Sequence, residues 1–286
     1  MTRLLTLAIC ILAGPALAQD ISGPSLMERM MLTELEQEML DNPDVQNCDR
    51  LAGPQHHPDR NSGAMIQPGK SFSAVDGPAG EIACRAALVA YPDHPRLLAS
   101  LGSALSKQDL HNEAFAAFMK AAEQGDPAGQ TSTGFSNYYG WGTAKSYPVA
   151  IEWFEKAYAQ GHPGAMFALG LLRQEGHAYP RDNAAALRYY QEAAEAGSAD
   201  GAGLLGRMYE HGIAIDADAD RAADLYITAL QGGTSWIYSH KPNWKRATGR
   251  ALQSRLKELG YYTGSIDGSV GPATRAAMAA LWADSI

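Results

Sequence analysis

The residues of this chain with the greatest capacity for chemistry are its three cysteines and eight histidines. Thiolates serve as nucleophiles, disulfide partners or metal ligands, and imidazoles serve as general bases or metal ligands. The histidines are scattered, and their only cluster, His56-His57-Pro58-Asp59, is interpreted as a solvated loop and not as a metal site. No G-x-S-x-G, Walker A or H-E-x-x-H string occurs. The sequence therefore predicts a protein that is not an enzyme and that has no cofactor and no metal centre.

The first eighteen residues have the three parts of a secretory signal peptide. Arg3 is the positive start, Leu4–Ala13 is an apolar run too short to span a bilayer, and Ala16-Leu17-Ala18 is the small-x-small cleavage pattern. The mature chain is expected to begin at Gln19, without a membrane anchor, in the periplasm or outside the cell. A lipoprotein acylated at Cys10 is the alternative, but a large residue precedes this cysteine where a small one is needed.

Export would remove Cys10 and place Cys48 and Cys84 in an oxidising compartment. Two cysteines in such a compartment most simply form one disulfide, and no C-x-x-C spacing suggests a metal pair. Two free thiols remain the alternative. In the chain-entropy model, closing a loop of this size stabilises the fold by about 4 kcal/mol. The sequence therefore predicts a Cys48–Cys84 disulfide.

A period of 36 residues runs through the middle of the chain. Three sets of glycines, one set of alanines and one set of aromatic residues follow it. They are Gly125, Gly161, Gly197 and Gly233; Gly134, Gly170 and Gly206; Gly140, Gly176 and Gly212; Ala114, Ala150, Ala186 and Ala222; and Phe118, Phe154, Tyr190 and Tyr226. Repeats of 20–50 residues are typical of solenoids. The pattern predicts an all-α fold, an α-solenoid of helical-hairpin repeats followed by a small helical C-terminal module.

Each repeat is predicted to contain two helices joined by a short loop. A glycine at the end of the first helix supplies a left-handed C-cap at little steric cost. An Asp or Ser before the second helix supplies an N-cap oxygen for free backbone N–H groups. The C-cap glycines are Gly140, Gly176 and Gly212, and the N-caps are Ser146, Asp182 and Asp218.

Two further features of the first helices need an explanation from packing. Gly134, Gly170 and Gly206 lie inside them, where a glycine costs about 1 kcal/mol relative to alanine. Close approach of a neighbouring helix would offset that cost.

Tyr138, Tyr139 and Trp141 end the first helix of the first full repeat, and they are interpreted as core residues in preference to a ligand platform.

Two segments of the repeat carry a family resemblance. Ala-Met-Phe-Ala-Leu-Gly-Leu-Leu at 165–172 is followed by Ala-Leu-Arg-Tyr-Tyr-Gln-Glu-Ala-Ala-Glu-Ala-Gly at 186–197. This pattern resembles the Sel1-like repeat, a relative of the tetratricopeptide repeat, and it implies three such units in residues 127–235. The unit before it, residues 93–126, has a shorter inter-helix loop and resembles a plain tetratricopeptide repeat. The resemblance implies a scaffold that binds other proteins.

Residues 19–92 precede these repeats and are predicted to be N-terminal helices with a disulfide-tied loop. Ser25–Asp41 is predicted to be an amphipathic helix that ends at Asn42-Pro43. Residues 43–76 are rich in Pro, Gly, His and Asp and are interpreted as a loop, which the predicted disulfide would restrain. Glu81–Tyr91 is then predicted to be a helix, as half of a degenerate first repeat.

A different pattern begins after Gly233. Residues 244–259 are predicted to form a helix that ends at Gly260, and Pro272 suits the first position of the last helix. The matching string is Leu252-Gln253, Leu256, Leu259-Gly260-Tyr261-Tyr262, Gly264, Asp267-Gly268, Gly271-Pro272, Thr274 and Ala276. It closely resembles the peptidoglycan-binding domain of cell-wall proteins. Residues 241–286 would be a truncated version, because the family usually continues through another turn and helix.

This second resemblance implies a peptidoglycan site around the turn. The expected binding residues are Tyr261, Tyr262, Asp267, Gly268, Thr274 and Arg275. Aromatic rings would stack on sugars, and Arg275, with Arg250 and Arg255, would pair with stem-peptide carboxylates. A module of this size can hardly hold a core alone, so it is expected to pack on the solenoid. The alternative is that it only caps the last repeat, with turn-forming and core roles for the same residues.

Charge is distributed unevenly along the chain. Residues 241–286 contain seven Lys/Arg and three Asp/Glu, whereas the whole chain contains 23 and 31. Neither part has the density of basic residues that nucleic-acid binding needs. The sequence therefore predicts a non-enzymatic periplasmic scaffold or adaptor, with unidentified periplasmic protein partners and peptidoglycan as a further partner. The alternatives are an accessory or regulatory subunit of a cell-wall enzyme, and a spacer-type wall-binding protein.

Overall fold

The structure is a computed structural model that describes residues 37–53, 75–239 and 244–285, and every regular element in these ranges is an α-helix. The chain divides into two compact units, Met1–Asp41 and Asn42–Ile286. In the first unit the described residues form a helical turn, in which Asp41 N donates to Gln37 O at 2.9 Å. The predicted signal peptide, most of the predicted Ser25–Asp41 helix and the histidine cluster lie outside the described residues.

The described part of the second unit contains thirteen helices, most of which pair as successive hairpins. They are α1 (Pro43–Ala52), α2 (Gly77–Ala90), α3 (Pro95–Ser106), α4 (His111–Glu123), α5 (Pro127–Tyr139), α6 (Tyr147–Ala159), α7 (Pro163–Glu175), α8 (Asn183–Glu195), α9 (Ala199–His211), α10 (Ala219–Gln231), α11 (Trp236–Ser239), α12 (Arg246–Glu258) and α13 (Pro272–Ala283). The hairpins α1–α2 to α9–α10 each pack on the next, as in an α-solenoid. The predicted all-α solenoid is therefore confirmed. None of the described helices has the length and apolarity needed to cross a membrane.

Local capping sets the helix boundaries within the repeats. The predicted C-caps Gly140, Gly176 and Gly212 have φ angles of 82°, 78° and 68°, in the left-handed region. At the start of the second helices, Asp182 accepts from Ala185 N at 2.9 Å. Ser146 and Asp218 cap their helices in the same way. These predictions from local sequence are confirmed.

The glycines inside the first helices lie under aromatic rings of the second helices. A Cβ added at Gly134 would stand 2.4 Å from Cε1 of Phe154, and one at Gly170 would stand 2.6 Å from Cε1 of Tyr190. The ring of Phe118 lies over Gly102 in the same way. The interior glycines and the aromatic residues are two separate sets in the 36-residue period, and in the structure they pack against each other. This contact joins the two helices of a repeat.

The interpretation of residues 43–76 as a loop is wrong for its first part, because Pro43–Ala52 is helix α1. The Asn42 side chain accepts from Asp44 N and Val45 N, and Pro43 occupies a first-turn position that needs no N–H donor. Asn-Pro therefore begins a helix at this point instead of only ending one. Helix α1 pairs with α2, so the predicted half-repeat is a complete hairpin.

The predicted disulfide is present, and it joins the two helices of this hairpin. Cys48 and Cys84 are both fully buried, with their Cα atoms 4.5 Å apart. Beside the disulfide, Arg96 on α3 lies 3.4 Å from the Asp49 carboxylate (Nη2 to Oδ2), and both residues are buried. A covalent bond and a buried ion pair thus link α1 to α2 and to α3.

The C-terminal module shares its hydrophobic core with the last repeat. Leu252, Leu256 and Met278 belong to the same buried cluster as Met208 and Leu230. Helix α12 packs on α10, and α13 packs on α10 and α11. The expectation that the module packs on the solenoid is confirmed, and the reason is that helices α12 and α13 bury their apolar faces mainly against it.

Candidate binding surfaces

One buried glutamine organises the turn between α12 and α13. The side chain of Gln253 is fully buried, and its Nε2 lies 3.0 Å from both Asp267 Oδ1 and Ser269 O, and 3.2 Å from Thr274 Oγ1. Its Oε1 accepts from Gly268 N at 2.8 Å. A polar network of this kind is costly to break inside a protein, because each buried group would lose its partner. Gln253 belongs to the recognised string, but the sequence did not show that it holds the turn.

Three of the predicted binding residues are buried in this turn. Tyr262 is 8% exposed and donates its hydroxyl proton to Ser265 O at 3.0 Å. Thr274 is 1% exposed and donates to the backbone at 3.2 Å. Gly268 has φ of 81°, and a Cβ there would approach the α12 backbone to 2.4 Å. These three residues shape the turn and expose little surface to solvent.

The other predicted binding residues reach the surface. Asp267 is exposed, and the hydrogen bonds from Gln253 and from Ser269 N lower the pKa of its carboxyl. Tyr261 donates to Asp284 Oδ2 at 2.9 Å, which raises the pKa of Tyr261. Arg275 is partly buried in the first turn of α13, and its Nε has no hydrogen-bond partner among the described residues.

Two further arginines differ in what they contact. Arg250 is exposed, and its Cγ lies near Gly268, so it stands beside the turn. Arg255 instead forms an ion pair with Asp224 of α10 at 2.7 Å, so it joins the module to the solenoid. Arg246 is also exposed, and its Nε donates to Asp267 O at 3.1 Å. The exposed surface of the turn therefore has Arg246, Arg250 and Arg275 as its cations and Asp267 as its anion.

Polar bonds also join the module to the last repeat. The buried Glu210 accepts from Tyr226 Oη at 2.8 Å and from Lys245 N at 2.6 Å. Trp282 donates its indole proton to Gly233 O at 2.8 Å. Because both the apolar core and these bonds cross the boundary, the module and the last repeat form one packed unit.

A second exposed surface runs along the first helices of the repeats. We name it the first-helix face, and its residues are Phe135, Tyr139, Phe167, Leu171, Glu175, Asp200 and Arg207. Phe135 and Phe167 are in ring contact at 6.2 Å, so the face continues from α5 to α7. Phe135, Leu171 and Arg207 occupy the same repeat position, 36 residues apart.

An aromatic row begins on this face. Tyr139 stacks on Trp141 with ring centroids 4.4 Å apart, and Trp141 stacks on His111 at 5.7 Å. Tyr138 is 4% exposed, whereas Tyr139 and Trp141 are 45% and 42% exposed. The core interpretation is right for Tyr138 and wrong for the other two, because successive helical residues point about 100° apart and the chain turns away at Gly140.

Two carboxylates also lie on the first-helix face. Glu175 Oε2 accepts from Tyr138 Oη and lies 3.1 Å from His177 Nε2. Asp200 Oδ1 accepts from Thr234 Oγ1 at 2.9 Å and from Trp236 Nε1 at 3.2 Å. Protein atoms that crowd Asp200 raise the pKa of its carboxyl, which the two hydrogen bonds only partly offset.

The hydroxyl of Tyr139 is sensitive to both of these carboxylates. Burial raises the pKa of Tyr139 first, and the negative charges of Glu175 and Asp200 raise it further. Glu175 of α7 and Asp200 of α9 are therefore each within electrostatic range of Tyr139 of α5.

One glycine string on α9 has the spacing of a dinucleotide-binding loop but not its structure. Gly201, Gly203 and Gly206 match G-x-G-x-x-G, which works at a strand-to-helix turn. All three lie inside helix α9, and a Cβ at Gly203 would stand 2.8 Å from the Trp236 ring. These glycines serve helix packing.

Sequence comparison with family models decides the nature of the central array. Residues 127–162, 163–198 and 199–233 each match the model of the Sel1 repeat. The array consists of three Sel1 repeats. Residues 247–281 match the family model described as "Putative peptidoglycan binding domain". Both resemblances seen in the sequence are confirmed.

Solved structures of Sel1 repeat proteins resemble this chain. One is a Sel1 repeat protein from Oxalobacter formigenes, with 23% identity and a TM-score of 0.46, over 71% of this chain and 95% of that one. Another is c5321, a protective antigen of uropathogenic Escherichia coli with an SLR fold, with 22% identity and a TM-score of 0.45. That match covers 74% of this chain and 50% of c5321. The comparison with curated protein sequences finds no match.

Proposed function

We propose that this protein is an exported, non-enzymatic adaptor. Its Sel1 repeats would bind a periplasmic protein partner, and its C-terminal module would bind peptidoglycan. Sel1 repeats indicate protein–protein interaction, and the matched C-terminal domain indicates peptidoglycan binding. The observation that carries the proposal is the turn held by Gln253, which leaves Arg250 and Arg275 at the surface while the apolar side of the module is buried.

The charges around the turn suit peptidoglycan. Its stem peptides carry carboxylates, and guanidinium groups bind carboxylates through paired hydrogen bonds. The Arg275 side chain is only partly buried, so part of it is open to solvent beside the turn. Arg250 extends the positive surface along α12. Exposed ion pairs of this kind are screened by salt, so binding should weaken as ionic strength rises.

The shared core has a consequence for the adaptor function. Because the module and the last repeat share one core, a partner on the repeats would be held close to the wall and at a defined position relative to it. A flexible tether would give no such positioning.

The same shared core favours a second candidate function. The module would then only cover the apolar end of the last repeat, as terminal units of solenoids do. Tyr262, Gly268 and Thr274 would be needed for stability, and the exposed arginines would have no ligand.

Sedimentation with purified sacculi at low salt separates the two candidates. Full-length mature protein should sediment, and the Arg250→Ala, Arg275→Ala double variant should lose most binding while its thermal midpoint stays unchanged. Arg188→Ala is the matched control, because Arg188 is exposed on α8, away from the module. Absence of sedimentation of the unchanged protein would leave the cap function as the answer.

Export is tested separately. The buried Cys48–Cys84 disulfide is consistent with an oxidising compartment. Sequencing of the N-terminus of protein recovered from the periplasm should begin at Gln19. An unprocessed N-terminus on protein that stays in the cytoplasm would contradict the proposal.

A further inference from the structure

We propose that the first-helix face binds an extended segment of a protein partner that is rich in lysine or arginine. Glu175 and Asp200 hold the cationic side chains, and the aromatic row takes the aliphatic parts. The inference rests on the proposed scaffold function, because it names the chemistry of the partner that the Sel1 repeats bind.

Each of the two carboxylates has one oxygen committed to the protein and one available. Glu175 uses Oε2 for Tyr138 and His177, and Asp200 uses Oδ1 for Thr234 and Trp236. These contacts fix the orientation of both groups. No lysine or arginine in the described parts of the chain forms an ion pair with either carboxylate; the one basic neighbour is His177, beside Glu175.

The cation on this face is itself occupied. Arg207 Nη2 donates to Gln174 Oε1 at 2.9 Å, and Tyr190 Oη donates to the same oxygen at 3.2 Å. Arg207 is therefore held by an amide and not by Glu175 or Asp200. A ligand with positive side chains would supply the cationic partners that Arg207 does not provide to Glu175 and Asp200.

The aromatic row favours a peptide over a glycan. Sugars stack on free ring faces, but Trp141 already stacks on both Tyr139 and His111. The exposed parts of Tyr139 and Trp141 would pack against the aliphatic stems of lysine and arginine, whose charged ends would then reach Glu175 and Asp200.

Long-range electrostatics act in the same direction. The whole chain has 31 acidic and 23 basic residues, and seven of the basic residues lie in the module. The solenoid is therefore acidic, and it attracts basic segments while repelling acidic ones.

The test starts from a displayed library of random nonapeptides, selected on the oxidised full-length protein. The expected result is enrichment of lysine and arginine among the selected peptides. The most enriched peptide is then synthesised with a fluorescent label, and its affinity is measured by anisotropy. The Glu175→Gln, Asp200→Asn double variant should bind about tenfold more weakly, since each exposed ion pair contributes up to about fivefold.

The matched control is the Glu155→Gln, Glu195→Gln double variant. It removes the same charge from exposed positions on the second helices α6 and α8, and it should bind as the unchanged protein does. Both amide replacements on the first-helix face keep an acceptor oxygen for the internal donors, so folding should be retained. Far-UV circular dichroism and the thermal midpoint verify this.

Three outcomes would overturn the inference. They are selection without enrichment of basic residues, equal loss of binding in both double variants, and displacement of the peptide by peptidoglycan fragments but not by polylysine. If neutral peptides are selected and Tyr139→Leu abolishes their binding, the basic-partner inference fails while the scaffold function stands. Sacculus sedimentation is unaffected by either result.

Discussion

The contact between an interior glycine and an aromatic ring can be tested by one added methyl group. In Gly170→Ala, the new Cβ would lie 2.6 Å from Cε1 and 2.8 Å from Cδ1 of Tyr190. Ordinary carbon–carbon contacts are about 3.5–4.0 Å. The Tyr190 side chain is fully buried, so its ring has no solvent space into which it can move. The two helices of the repeat must therefore separate.

The magnitude follows from two opposing effects. Overpacking a well-packed core costs about 1–3 kcal/mol. Replacing a helical glycine by alanine contributes about 1 kcal/mol in the opposite direction. We therefore expect Gly170→Ala to destabilise the protein by up to about 2 kcal/mol, and Gly170→Val to cost more because valine is larger and β-branched.

Gly206→Ala is the matched control at the same position of the next repeat. There the nearest atoms to the added Cβ are 3.2 Å away, so the neighbours need to move by only a few tenths of an ångström. Its helix-propensity gain is the same, and we expect little net change. Both variants are compared by urea unfolding followed by far-UV circular dichroism.

A double variant completes the test. In a Tyr190→Leu background the ring is absent, so Gly170→Ala should become neutral or stabilising. If Gly170→Ala is as stable as Gly206→Ala in the unchanged background, the glycine is not required by the ring and the reasoning is refuted.

Three other predictions follow from the N-terminal hairpin and the module. Thiol titration of denatured, unreduced mature protein should find no free thiol, and reduction of Cys48–Cys84 should lower the unfolding free energy by up to about 4 kcal/mol; two titratable thiols would disprove the bond. Asp49→Ala should destabilise the protein by up to about 5 kcal/mol, because it removes a carboxylate 3.4 Å from the buried Arg96 guanidinium, and equal denaturation midpoints would contradict this. The Asp267 carboxyl should titrate by NMR below its usual range. Since its folded pKa is the lower one, its contribution to stability is present above the unfolded pKa of about 3.9 and is lost as pH falls through the folded value.

The helix boundaries of the repeats could be predicted because their causes are local. A C-cap glycine needs only its own φ angle, and Asp182 caps α8 through an N–H three residues away. A period of 36 residues then repeats the same local signals. The pairing of Cys48 with Cys84 could also be predicted, because export would leave only two cysteines.

The first hairpin shows where local signals are ambiguous. Asn-Pro ends a preceding helix or begins a new one with equal local justification. Helix α1 exists because it packs on α2 and α3, with Asp49 facing Arg96 about 50 residues along the chain. The ten residues of α1 contain no sequence pattern that would reveal a contact with a residue so far along the chain.

The candidate sites also have features that the sequence could predict and features that only the tertiary structure shows. Sequence alone determined that the chain has Sel1 repeats and a peptidoglycan-binding-like module, because both are encoded in residue types at set spacings. Only the tertiary structure decided that Tyr262 and Thr274 are buried and that Tyr139 and Trp141 are exposed. Burial depends on which helix faces are covered by other helices, and neighbours in sequence, such as Tyr138 and Tyr139, can lie on opposite sides of that division.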